Sequence, residues 1–490
     1  MPEFIDTLDD LERDRYQKVL RLRARGVNPY PLRSKRTHPL ADLRALHERG
    51  EDPGEVTVVG RITANRWTGK ITFVDIRDGT GRMQLFLRQD NLGEETYKHF
   101  LKDYDLGDFV QATGTLFVTK AGELTVTVAD IQMLSKAVAP MPEKFHGLTD
   151  KETRYRQRYL DLMVNEEVRA VFRARQRVLT AMRAYLDRNG FIEVETPALQ
   201  PLYGGALAKP FTTYHNELER NLYLRIADEL YLKRLLVGMF ERVYEISKDF
   251  RNEGVDATHL PEFTMMECYQ AFGDLSDMMK VVEDIFVECA MAAQGKLQIT
   301  YGEHEVDLTP PFARVAMRDA ILEKTGIDIY VDDSFETLNA RIEEKNLRVE
   351  PQMNWGKLVE KVFSTYVEPT LIAPTFVIDF PTEISPFAKK KPGDARVAER
   401  FEIYVAGAEY GNAFTELNDP EDQWQRFMEQ QTNRARGDAE AQQMDDDYVQ
   451  ALKHGLPPTG GLGMGVDRLT MLLTNQHSIR DVVLYPQLRN

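Results

Sequence analysis

Cysteine is almost missing from this 490-residue chain: two residues, Cys268 and Cys289, cannot by themselves build a disulfide framework or a zinc site. That fits a reducing cytoplasm and leaves both thiols the role of small buried hydrophobes. Long apolar runs are missing too. No stretch could span a bilayer, and the opening Met1-Pro-Glu-Phe-Ile-Asp lacks a basic segment followed by an apolar one, so a cytoplasmic protein without a membrane partner is expected. The nine histidines form no ligand cluster, and no Walker-type loop marks an ordinary nucleotide hydrolase. Positive charge is in deficit: 62 Lys and Arg against 78 Asp and Glu give a net charge of −16. That argues against indiscriminate coating of nucleic acid driven by counterion release, so any RNA contact must use local patches. The 42% hydrophobic content is ordinary for a globular chain with room for roughly three domains.

The best basic patch is the N-terminal extension, residues 1–55. A helix over 9–25 carries Arg13, Arg15, Lys18, Arg21, Arg23 and Arg25, with Gly26 placed to stop it. Such a helix is either a solvated face or a surface that touches RNA. Strands are expected at 56–67, 70–77, 82–88, 109–118 and 123–134, with a helical piece at 93–102 between the third and fourth, an order that suits an OB-fold barrel over 56–135. Alternation puts Thr72, Val74 and Ile76 on one face and Phe73 on the other, while Gln84 and Glu123 also point away from their apolar neighbours. Three side chains able to stack or pair with a base could converge there; a plain core aromatic is the other reading of Phe73. Residues 136–150 read as a linker, and 151–490 as a catalytic domain.

Two arginines sit in settings suited to a triphosphate, because guanidinium forks match phosphate oxygens in bidentate pairs. Arg251 lies in Phe250-Arg-Asn-Glu-Gly254, and Arg468 closes Gly461-Leu-Gly-Met-Gly-Val-Asp-Arg468, where a glycine-rich turn is expected to open a helix whose positive end favours an anion. Together with Phe240-Glu-Arg-Val-Tyr-Glu-Ile-Ser-Lys-Asp-Phe250 and His259-Leu-Pro-Glu-Phe263-Thr-Met-Met-Glu267-Cys-Tyr269, these segments resemble the signature motifs of class II aminoacyl-tRNA synthetases, and among them the bacterial-type lysyl family, over nearly all of the chain.

The resemblance implies an α+β multidomain architecture: an N-terminal OB-fold β-barrel followed by a class II catalytic domain with a mainly antiparallel sheet flanked by helices and a helical insertion near 315–370. It implies ATP-dependent activation of L-lysine to lysyl-adenylate and transfer of lysine to the 3′ end of tRNA(Lys). A long helix at 166–188 and the strand Phe191–Pro197 would form the interface of a homodimer, or else lie inside one subunit's core. By resemblance Arg251 bridges the lysine carboxylate and the α-phosphate, Arg468 meets the γ-phosphate, His259 touches the outer phosphates, Phe263 stacks the adenine, and Glu253 recognises its amino group. Phe73, Gln84 and Glu123 would read the anticodon.

Glu402 and Glu409 fall on two strands joined by a turn containing Gly407; in a tight hairpin their carboxylates would lie opposite each other. Adjacent carboxylates repel unless a cation lies between them, and Mg2+ fits that need. The bland alternative is two solvent-facing glutamates on an edge hairpin. Glu267 and Tyr269 share one strand face, and Asn412, Phe414 and Glu416 another. Such a site offers anionic acceptors and an apolar wall to a long stem ending in ammonium, and repels an acidic side chain. Glu229 and the Gly205 backbone would hold the α-amino group by resemblance. Pairing of Glu267 and Glu416 with structural arginines is the competing reading. Glu409 and Glu416 are seven apart and cannot face one way on a regular strand, so a bulge at Gly411 is expected. Pro381-Thr-Glu-Ile-Ser-Pro386 also resembles the family without an assigned role, and Tyr485 and Cys268 depart from its pattern. Two other functions compete: a noncatalytic RNA-binding paralogue, for which loss of the phosphate ligands is expected, and an enzyme lysylating a translation factor, which would lack the barrel.

Overall fold

The structure, a computed structural model, describes residues 3–142, 148, 150–435 and 442–488. The chain divides into two compact units, Met1–Leu148 and Thr149–Asn490.

In the first unit five strands, β1 (Glu55–Thr68), β2 (Ile71–Arg77), β3 (Arg82–Arg88), β4 (Phe109–Val118) and β5 (Leu124–Ser135), close in the order β1-β2-β3-β5-β4, the expected OB barrel. Alternate residues fill it: Val56 and Val58, Val74 and Ile76, Met83, Leu85 and Leu87, Val126 and Val128 are all buried. The helical piece is broken by Gly93 into Gln89–Leu92 and Glu94–Asp103, whose Tyr97 and Phe100 join the barrel core.

Helix α1 (Asp10–Ala24) starts on a capping box between Asp9 and Glu12. Of its six basic side chains Arg15 is buried and Lys18 and Arg21 are half-buried, while Arg13, Arg23 and Arg25 stay exposed, so part of the patch serves the fold. Buried Arg15 donates to the carbonyls of Leu106, Ala137 and Ala139 at 3.1, 3.3 and 3.4 Å. Lys18 pairs with Asp105 at 2.7 Å, and Arg21 and Arg25 reach the fully buried Asp103 at 3.0 and 2.7 Å. Buried carboxylates need such partners, so the barrel's own acids claim the positive charge. In the expected linker, residues 143–147 and 149 lie outside the described residues; Lys136, at its start, is buried between Asp105 and Asp108.

The second unit is built on a mainly antiparallel sheet with a helix pair against one face. Its central strands are β6 (Arg242–Phe250), β7 (Glu262–Ala271), β8 (Thr375–Pro381), β9 (Asp394–Val405), β10 (Ala408–Thr415) and β11 (Thr459–Gly465), ordered β8-β9-β10-β11-β7-β6 and antiparallel throughout. Short strands Ala313–Ala316 and Ile192–Glu193 add parallel edges at the two ends. Only these two residues of Phe191–Pro197 pair as strand. Helices α2 (Glu166–Arg188), α3 (Glu229–Val237), α4 (Leu275–Gln294) and α5 (Val466–Thr474) follow in chain order. Apolar residues of α2 and α4, such as Val178, Met182, Val282 and Phe286, form one core with Leu462 and Met464 of β11 and both cysteines. Burial pushes the Cys289 thiol up to about 12, so it is an inert apolar filler. Helices Met317–Thr325, Phe335–Glu344 and Trp355–Tyr366 build a second core against Val377 and Phe380 of β8.

Candidate active site

The sequence Gly460-Gly-Leu-Gly-Met-Gly465 forms strand β11, which corrects the expectation of a glycine-rich turn. Alternation sends Leu462 and Met464 into the core and leaves Gly461, Gly463 and Gly465 on the opposite face. A cavity of about 450 Å³ opens over those glycines. Across its floor Glu267 pairs with Gly463, Gly463 with Asn412, and Asn412 with Glu402; beside that row run Tyr269, Gly461, Phe414 and Arg400. A Cβ at Gly461 would lie 1.9 Å from Glu416 Oε1 and 2.6 Å from the Tyr269 ring, so only glycine lets those groups converge.

The inner end is acidic and dry. Glu267 accepts the Asp228 N–H at 3.1 Å and the Tyr269 hydroxyl at 3.0 Å, and burial, with Asp228 and Asp249 nearby, pushes its carboxyl well above the usual range. No arginine pairs with Glu267 or Glu416 among the described residues. Glu416 does meet a cation of the chain itself, Lys233, which also lies 2.5 Å from Glu229 Oε1. The cavity nevertheless stays open beside both glutamates. Glu229 begins α3, and Gly205 packs against it, so that a Cβ built there would meet the Glu229 Cβ at 3.1 Å. Behind this wall Asp228, Asp249 and Glu267 bring carboxylate oxygens within 4.8 Å of one another. Arg225 lies 3.0 Å from Asp228 and 3.6 Å from Asp249, while Ser247 donates to both. Burial first, then mutual repulsion, lifts Asp228 to about 8; burial lifts Asp249 to about 6 against the opposing charges of Arg251 and Arg225.

The outer end carries the arginines. Arg251 follows β6, reaches the Ile226 carbonyl at 3.4 Å and lies over the Phe263 ring, 5.1 Å from its centroid. Arg468, in the first turn of α5, donates to the Glu409 carbonyl at 2.9 Å and to His259 Nε2 at 3.1 Å. An arginine can only donate, so Nε2 accepts and Nδ1 carries the proton it gives to Asp256 at 2.9 Å. Against burial that would raise it, hydrogen bonds from Thr258 and His259 hold Asp256 at about 2. Glu253 stands exposed at the mouth.

The β9–β10 hairpin turns through Ala406 and Gly407, both at positive φ (51° and 75°), as a two-residue hairpin turn requires. Its register corrects the expectation that Glu402 and Glu409 lie opposite each other: Glu409 pairs with Tyr404, and Glu402 with Asn412. Tyr410 is the extra residue of a bulge before Gly411, and it returns Glu409 to the face of Asn412, Phe414 and Glu416. Glu402 is therefore a diagonal neighbour of Glu409 on one face. Burial, with Glu409's charge added, lifts Glu402 to about 7, and the same two causes lift Glu368 to about 7. An under-neutralised set of carboxylates with no thiol or imidazole in it suits a hard, oxygen-liking cation.

Arg400 was legible only as Glu402's neighbour two residues back, yet it ties the floor together. It donates to Asn412 Oδ1 at 2.9 Å, Glu402 Oε1 at 2.6 Å and the Ile384 carbonyl at 2.8 Å. Pro381–Pro386 thereby gains a physical role: it anchors Arg400, and its Ser385 carbonyl accepts from Arg426 at 2.8 Å. Lys233 left a signal too, one turn after Glu229 on an apolar helix. Glu368 left none.

On the barrel, Phe73 is half-buried and stacks on Phe86 at 4.8 Å and 28°, with Phe117 next to Phe86 at 5.8 Å. Gln84 is buried, pairs across with Asp75 and Thr125, and accepts from the Thr125 hydroxyl at 3.1 Å. Glu123 precedes β5 and lies 3.8 Å from Arg82, which also reaches Asp75 at 3.4 Å. Phe73 and Gln84 lie on one face of the neighbouring strands β2 and β3, and Glu123 immediately precedes β5, which pairs with β3.

Residues 150–489 match the profile of the class II tRNA synthetases of the D, K and N type, and residues 56–134 that of an OB-fold nucleic-acid-binding domain. The lysine–tRNA ligase of Roseiflexus sp. (strain RS-1) is 54% identical over 487 residues, which cover 98% of this chain and 99% of the relative. That of Roseiflexus castenholzii is 54% identical over 484 residues, with 98% and 99% covered. That of Chloroflexus aurantiacus is 53% identical over 484 residues, again with 98% and 99% covered.

Proposed function

The chain belongs to the class II tRNA synthetases of the aspartate, lysine and asparagine group, and from that premise we infer its reaction, the ATP-dependent ligation of lysine to tRNA. The observation that carries the choice of lysine, beside the full-length kinship, is the acid-lined inner end at Glu229, Glu267 and Glu416. A carboxylate oxygen of lysine attacks the α-phosphorus of ATP, the bond to pyrophosphate breaks, and lysyl-adenylate forms. A hydroxyl of the terminal tRNA ribose then attacks the acyl carbon, and AMP leaves.

Residue roles follow as our reading. Arg251, held by two long bonds to the Ile226 carbonyl, is placed to bridge two anions that must touch, and most of the rate comes from such positioning and charge stabilisation. Its place over one face of Phe263 supports adenine stacking by that ring. Glu253 would meet the adenine amino group; Arg468, oriented by His259, would take the outer phosphates. The ammonium of the lysine side chain would lie between Glu267, Tyr269 and Glu416, its stem along Phe414 and Asn412, and its α-amino group at Glu229 and Gly205. Glu402 and Glu409 would hold Mg2+, which when bound neutralises phosphate charge as a Lewis acid. Phe73, Gln84 and Glu123 would read the anticodon.

Among the described residues no helix is long and apolar enough to cross a membrane. We place the enzyme in the cytoplasm with its tRNA, as a homodimer through α2 and the following segment, where Ile192 and Leu199 are 50% and 48% exposed. The noncatalytic and translation-factor readings are not favoured, because the relatives named as lysine–tRNA ligases match the barrel and the catalytic unit together. The test is charging of a tRNA(Lys) transcript with labelled lysine. Lysine-dependent ATP–pyrophosphate exchange together with acylated tRNA is expected; exchange without acylation would point to another acceptor.

A further inference from the structure

Lys233 is wholly buried behind the cavity wall, one helical turn after Glu229. Its ammonium touches two carboxylates, Glu229 Oε1 at 2.5 Å and Glu416 Oε2. Phe387 and Phe414 stand 5.1 and 5.4 Å from it by ring centroid. Glu416 Oε1, on the other side of the same carboxylate, is buried without a hydrogen-bond partner and points to the bare floor at Gly461. Two buried acids therefore share one cation, and the remaining oxygen faces the cavity. Against burial, which would pull it down, Glu229 and Glu416 hold the Lys233 ammonium well above its ordinary range.

We propose that Lys233 is a specificity-determining positioning residue of the amino-acid pocket: it pins Glu229 and Glu416 and, with Glu267 counted, leaves the three acids two positive charges short, which the two ammonium groups of lysine supply. This rests on the pocket being the lysine site, as read above. Two carboxylates in a dry site cannot both stay ionised without cations, so removing Lys233 forces a proton onto one of them and costs the guest its acceptor. A guest with a neutral side chain, such as asparagine, brings only its α-ammonium and leaves one charge unmet. An apolar side chain of similar length would fill the same volume without setting the charge.

The charge count predicts a reversal of sign that packing cannot produce. In the full chain, Lys233→Met raises the KM for lysine in ATP–pyrophosphate exchange by at least about tenfold, with the loss falling on KM rather than kcat. Glu416→Gln leaves one net negative charge for two guest ammonium groups and also raises that KM. In the Glu416→Gln background Lys233→Met restores the original net charge of the pocket, so K233M/E416Q binds lysine better than E416Q alone. Thermal melting follows each variant; if K233M alone does not fold, the comparison of E416Q with K233M/E416Q decides. A K233M that leaves KM within about twofold, or that worsens lysine binding in both backgrounds, overturns the proposal. Should the unmodified chain exchange with lysine while the reversal fails, this inference alone falls; should it not exchange with lysine, the reading beneath it falls.

Discussion

At the inner end of the cavity Glu229, Glu267 and Glu416 are all buried, whereas at the outer end the side chains of His259, Glu409 and Arg468 remain 54%, 37% and 26% exposed. Both ends handle ions, but in different dielectric surroundings. Inner charges are held by fixed partners, Tyr269, the Asp228 N–H and Lys233, and are little screened. At the outer end Arg468 rests on the Glu409 carbonyl, on the Glu409 carboxylate at 3.5 Å and on His259, contacts that a triphosphate can replace. The inner end can choose a guest by charge; the outer end can accept and release a highly charged substrate.

The largest effect expected is at the one group set to touch both substrates. Arg251→Ala should lower kcat/KM for lysine-dependent exchange by about a thousandfold or more, since it removes a bidentate donor from developing charge. A loss below about tenfold would remove Arg251 from the chemistry. Next, Glu267→Gln should raise the KM for lysine by about 30-fold and leave the KM for ATP alone, as expected for a buried ionic partner. His259→Ala should cost only about fivefold, on ATP, because its site is solvated. Equal losses on both substrates would erase the distinction between the two ends.

The carboxylates between the ends give a pH test. Glu402 at about 7 is raised above its unfolded value, so its proton favours the fold at low pH and that contribution is lost as pH rises through 7. Cation binding runs the opposite way and needs the ionised form. The Mg2+ concentration for half-maximal exchange should therefore rise about tenfold from pH 7.5 to pH 6, and Glu402→Gln should flatten that slope. A flat profile in the unmodified chain would separate Glu402 from the metal.

The barrel should show effects on the tRNA step alone. Phe73→Ala should weaken charging of tRNA by about tenfold, in line with the loss of one stacked base, and leave exchange intact. Arg15→Ala, by contrast, should lower barrel stability by about 1–3 kcal/mol without changing the KM for tRNA, because its partners are backbone carbonyls of the barrel unit. A selective loss of tRNA binding in the Arg15 variant would return α1 to the RNA-binding surface.

Periodicity made the barrel strands, α2 and the shared face of Glu267 and Tyr269 readable before any coordinates, because each depends on local repeat alone. What it could not supply was partner choice. The inward turn of Arg15 depends on the carbonyls of Leu106, Ala137 and Ala139, and the pairing of Arg21 and Arg25 on the buried Asp103, all distant in the chain. Glycines in β11 read as a turn because their alternation with Leu462 and Met464 makes sense only once a cavity lies on one face. The seven-residue spacing of Glu409 and Glu416 did demand a bulge, and the bulge sits at Tyr410–Gly411; the diagonal pairing of Glu402 with Glu409 needed the register itself. Lys233 looked like one more lysine on a helix until Glu416 was seen to arrive from β10.

The most direct measurement is ATP–pyrophosphate exchange by the unmodified chain across lysine, norleucine, asparagine and aspartate at matched concentrations. Norleucine has lysine's stem without its ammonium, so exchange with lysine and none with the other three is the predicted result. Exchange supported as well by norleucine or asparagine as by lysine would contradict selection by charge at Glu267 and Glu416.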